Sequence, residues 1–65
     1  MVIVKIEDCR SLGYCARGVR EFFERYNLNY VGFLTEGIPS EELLAATNSD
    51  GMALAVVEVA RGRQQ

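Results

Sequence analysis

The stretch from Cys15 to Ile38 restricts the fold most, because its apolar residues keep helical spacing, break at a corner and then resume. Cys15, Val19, Phe22, Phe23 and Tyr26 fall at i, i+4, i+7, i+8 and i+11 on one helical face, and Arg17, Arg20, Glu21, Glu24 and Arg25 fill the remainder. Arg17 with Glu21, Arg20 with Glu24, and Glu21 with Arg25 stand at i, i+4, the pattern of a solvated helix surface. A main helix over 14–26 is therefore predicted. Asn27 and Leu28 make the corner, and Asn29 is suited to cap a second helix over 30–36 by accepting a free backbone N–H. Leu28 before that cap and Phe33 one turn inside form a hydrophobic staple.

Gly37 supplies a left-handed stop and Ile38 packs back over it. Pro39, followed by Glu41 and Glu42 at the positive end of the dipole, starts a third helix over 39–46, anchored by Leu43 and Leu44. Thr47, Asn48, Ser49, Asp50 and Gly51 are turn residues, with Ser49 or Asp50 the natural cap of the last helix. Met52, Ala55, Val56 and Val59 repeat at helical spacing, predicting that C-terminal helix over 51–61; the alternative is a strand through Val56, Val57 and Val59. Arg63, Gln64 and Gln65 are expected to fray.

At the other end Val2, Val4 and Ile6 alternate with Ile3, Lys5 and Glu7, predicting a strand over 1–7. Asp8 is expected to cap a short turn through Leu12, interrupted by Gly13. The expected architecture is mostly α: an N-terminal β-strand followed by a small four-helix array, in one domain with a strand at 1–7, a helical body at 8–62 and a tail at 63–65. A lone apolar strand offers an open edge to another chain, so a homodimer through Val2, Ile3, Val4, Lys5 and Ile6 is expected. The alternatives are a pairing with a C-terminal strand, or an extended segment lying in a groove of its own chain.

With 65 residues, about half of them apolar and a quarter charged, the chain has the composition of a globular domain rather than a disordered tail. Such a domain buries only about 60% of the surface its unfolded chain exposes. No segment approaches the roughly 20 apolar residues of a membrane span, and the N-terminus carries no secretory pattern, so a cytoplasmic protein is expected. Cys9 and Cys15, in a chain without histidine, cannot complete a four-ligand zinc site. Cys15, on the apolar stripe, is expected to be a buried thiol acting as a small hydrophobe; a disulfide with Cys9 is the lesser reading. No metal or cofactor is expected.

Catalysis is not expected, since histidine, a phosphate-cradling glycine loop and acids paired in an apolar setting are all missing. DNA binding through a helix-turn-helix is the alternative reading, because the helices over 30–36 and 39–46 have the right lengths. The would-be recognition helix, however, presents Ser40, Glu41, Glu42, Ala45 and Thr47, with no cation for phosphate or guanine. The formal charge of −2 leaves only Arg10, Arg17 and Arg20, at the other end, for such contacts. The leading expectation is a module that binds a protein partner, with Tyr14, Arg17 and Arg20 as candidate contacts. Their plainer explanation is Tyr14 as partial core and the arginines as solvated ion pairs.

Taken together, Arg10, Leu12-Gly13-Tyr14-Cys15, Arg17-Gly18, Arg20, Phe22-Phe23, Leu28-Asn29-Tyr30, Phe33-Leu34, Gly37-Ile38, Leu43-Leu44-Ala45 and Met52-Ala53 carry a pattern covering nearly the whole chain. It resembles small prophage-encoded, phage-related bacterial proteins of uncharacterised role. That family favours His-Gly-Leu-Asp-Trp at the corner and Gly-Asp-Ala before the last helix. Here the corner is Tyr26-Asn27-Leu28-Asn29-Tyr30, and Asn48-Ser49-Asp50-Gly51 precedes Met52. The resemblance implies a phage-related setting, in virion assembly or host modulation with a phage or host protein as partner, and brings no catalytic residue with it.

Overall fold

Gly37 fixes how the two ends of the domain meet. Its φ of 81° and ψ of −173° lie where only glycine rests without strain. A Cβ there would also stand 2.7 Å from the Val4 carbonyl oxygen and from Ile3 Cγ2. The chain leaving Gly37 can therefore lie directly against the N-terminal segment. In the computed structural model, which describes residues 2–64, that contact is a two-stranded antiparallel sheet. β1 (Ile3–Val4) pairs with β2 (Ile38–Pro39) in the register Ile3 to Pro39 and Val4 to Ile38. The Ser40 N–H extends the ladder to the Val2 carbonyl at 2.8 Å.

Two expectations are corrected here. The strand ends at Val4 rather than reaching residue 7, and its partner is a segment of its own chain. Lys5 instead precedes a helix, α1 (Ile6–Ser11), whose first residue is Ile6. The cause is Asp8, which sits inside the first turn and accepts the Lys5 N–H at 2.8 Å while its own N–H bonds the Lys5 carbonyl. With Lys5 and Ile6 committed to a helix start and Ile3–Val4 already paired, the reason for a dimer through residues 2–6 falls away.

The helical body follows the predicted order: α2 (Ala16–Arg25), α3 (Tyr30–Glu36), α4 (Ser40–Thr47) and α5 (Gly51–Gln64). The described residues thus form five helices, α1 being added to the expected four. Asn29 caps α3 through the Gly32 N–H at 3.1 Å, and Asp50 caps α5 through the Met52 N–H at 2.9 Å. Pro39 stands just before α4 rather than within it, and the segment from Met52 is helix, not strand. α5 runs beyond the predicted end at 61 and includes Arg63; Gln65 lies outside the described residues.

Val19, Phe22 and Phe23 of α2 point inward, meeting Val4, Phe33, Leu43, Ala53 and Val56 in one core. The rings of Phe23 and Phe33 lie 4.5 Å apart, and Tyr30 meets Phe23 edge-on at 6.1 Å. Tyr26, at the end of α2, packs on Phe22 at 5.0 Å and donates its hydroxyl to Asp50 at 3.0 Å, joining the main helix to the cap of α5. The space left among Val4, Cys9, Phe22 and Phe33 is about 10 Å³, too little for a ligand.

Asp8 is 1% exposed, yet it is charged. Arg63 Nε bonds its Oδ1 at 2.8 Å and Nη2 its Oδ2 at 3.1 Å, and the same Nη2 reaches the Ile3 carbonyl at 3.2 Å. Burial works against the charge as the largest single influence. The Arg63 hydrogen bonds, the Lys5 N–H and the charges of Arg63 and Lys5 together outweigh it and hold the carboxyl below its ordinary range. The expected fraying at Arg63 is corrected by this fork, which ties the last turn of α5 to α1 and β1.

Candidate functional site

The expected contact residues do not gather into one site. Tyr14 lies between α1 and α2, half-buried against the core. Arg17 and Arg20 project from the outer face of α2, where Arg17 Nε stands 3.5 Å from Glu21 and Arg20 Nε 3.9 Å from Glu24. All four of these charged side chains are more than half exposed.

Cys15 is corrected. It does not continue the buried stripe but caps α2, its Sγ accepting the Gly18 N–H at 3.3 Å, and it is exposed. The buried thiol is Cys9, which burial, and next the neighbouring Asp8 charge, push up to about 11. A thiol held that high is protonated and inert near neutrality. Among the described residues, no cluster of cysteine, aspartate and glutamate has the grouping to hold a metal ion.

Of the expected contacts, Arg20 alone borders a groove of about 490 Å³ between α2 and α3. Glu24, Leu28, Asn29, Tyr30, Val31 and Leu34 complete its lining. Val31 is 69% exposed and Leu34 45%, one helical ridge at i, i+3 spacing on the side of α3 away from Phe33. α3 carries no charge before Glu36, and its outer side sets Val31 and Leu34 beside Thr35. The signal is present in the Tyr30–Thr35 sequence, where Val31 lies off the face that carries Tyr30 and Phe33 and Leu34 lies at its edge.

A second depression, between α3 and α4, has Glu36 and Glu42 among its lining residues, and Glu41, Glu42, Ala45 and Ala46 are exposed along α4. This is the surface a helix-turn-helix would set against DNA, and its charge repels phosphate. No helix among the described residues is long and apolar enough to cross a membrane. In comparisons with known proteins, no family model, curated protein or solved structure matches this chain.

Proposed function

We propose that this chain is a non-catalytic binding module that engages a protein partner through the outer face of α2 and α3. The observation that carries the reading is the exposed ridge of Val31 and Leu34, rimmed by Arg20 and Glu24. Apolar side chains inside a charged rim are the arrangement of protein contact surfaces, where the centre excludes water and the rim sets orientation. Arg20 therefore remains a candidate contact, Arg17 extends the rim along α2, and Tyr14 supports the start of α2 from the core side.

The resemblance to phage-related proteins supports a phage or host protein as the partner. Two unpaired thiols, one of them exposed at Cys15, suit the reducing conditions of the cytoplasm. The test is a photo-crosslinking residue placed at Val31 and, in a separate chain, at Glu41. Covalent capture of a polypeptide from position 31 and not from 41 is the expected result; equal capture, or none, overturns the reading.

A further inference from the structure

We propose that the polypeptide covering this face is a second copy of the chain, joined through α2 and α3 about a two-fold axis; this rests on the binding reading above. The first ground is charge. Arg17, Arg20, Glu21 and Glu24 form one stripe at i, i+3, i+4 and i+7 along α2, two positive residues toward its start and two negative toward its end. A stripe divided in that way complements itself when turned end for end. Antiparallel α2 on α2 sets Arg17 opposite the partner subunit's Glu24, and Arg20 opposite the partner subunit's Glu21. A two-fold contact demands such a surface, because every residue meets the same patch it belongs to. Within one chain these pairs are long, at 3.5 and 3.9 Å, and their exposed side chains are free to turn to a new partner.

The second ground is area. The chain exposes 4109 Å², and a stable interface takes about 800 Å² from each partner, roughly a fifth of that surface. Val31 and Leu34 alone are too small a patch, but they adjoin the charged stripe through the groove that Arg20 and Glu24 border. Apolar ridge and complementary stripe adjoin as one continuous face along α2 and α3. A strongly acidic or basic foreign partner would match only half of the stripe.

Sedimentation of the whole chain from low micromolar to millimolar concentration tests this. The expected species has twice the 7.3 kDa chain mass. Val31→Asp should weaken the association by about tenfold or more, while its circular dichroism melt stays that of the parent. A second pair of variants tests the charges. Arg17→Glu with Arg20→Glu makes the stripe acidic, and Glu21→Arg with Glu24→Arg makes it basic. Each should be monomeric alone, and an equimolar mixture should form a one-to-one dimer. A monomer at every concentration overturns the proposal, as does a dimer indifferent to Val31→Asp and to both charge reversals. If the chain is monomeric while position 31 still crosslinks to a different polypeptide, only self-association is lost and the binding reading stands.

Discussion

Arg63 and Asp8, 55 residues apart in sequence, are held in a forked ion pair with N–O distances of 2.8 and 3.1 Å. Asp8 also accepts the Lys5 N–H, so one buried carboxylate both starts α1 and receives the last turn of α5. Neither role is replaceable by water, because the carboxylate is sealed from it.

Replacing Asp8 with alanine removes a helix-start acceptor and leaves Arg63 without its anion. The expected cost is about 2 kcal/mol, which in a domain of this size lowers Tm by about 8 to 16 °C. The same carboxylate makes stability depend on pH with a definite sign. Its folded pKa lies below the ordinary 3.8, so its contribution is complete above that value and falls away as pH drops through the lower folded pKa. Urea titrations between about pH 6 and pH 2 should show a steeper acid loss for the parent chain than for Asp8→Asn. Parallel curves would show that the charge on Asp8 does not act through folding.

Phe22 and Arg17 share α2 but point opposite ways, one into the core and one out from the chain's surface. Phe22→Ala should cost about 3 to 5 kcal/mol, comparable to the whole stability of so small a domain, whereas Arg17→Ala should cost the fold of the single chain less than about 1 kcal/mol. Thermal melts of the two single variants measure the contrast. Similar midpoints would contradict the orientation of the helix.

Substituting alanine at Gly37 forces a side chain into a positive φ and against the Val4 carbonyl. Denaturant unfolding should register a loss of at least about 2 kcal/mol. Amide exchange should speed up at Ser40, whose N–H closes the ladder onto Val2, more than at the Gly32 N–H held by Asn29.

The two thiols should separate cleanly in a labelling experiment. Cys15 should react with an aromatic disulfide reagent in the folded state, whereas Cys9, buried and pushed up to about 11, should react only on unfolding. One thiol per chain in buffer and two in denaturant is the expected count, and two fast equivalents in buffer would place Cys9 at the surface.

What is legible in the sequence is local. The Val19, Phe22, Phe23 stripe and the caps Asn29 and Asp50 are readable because each signal lies within about a turn of the residues it organises. Cys15 misleads because spacing does not reveal where a helix begins, and the residue one turn before Val19 is the cap. Asp8 reads as the cap of a local turn and Arg63 as part of a frayed tail, since nothing in either neighbourhood announces a partner at the far end of the chain. The alternation over residues 2–7 overstates β1, and Ile38–Pro39, two residues ending in proline, leaves none to detect, so the pairing of the two is hidden. The ridge of Val31 and Leu34 is present in the sequence, but a single short helix does not declare that these apolar side chains stay outside the core.

Because the guanidinium of Arg63 touches both the Ile3 backbone and Asp8, the start and finish of the fold leave from neighbouring points. A short flexible linker would be enough to close this polypeptide into a circle, and fresh termini opened in the loop around Ser49 would still return the same arrangement of helices.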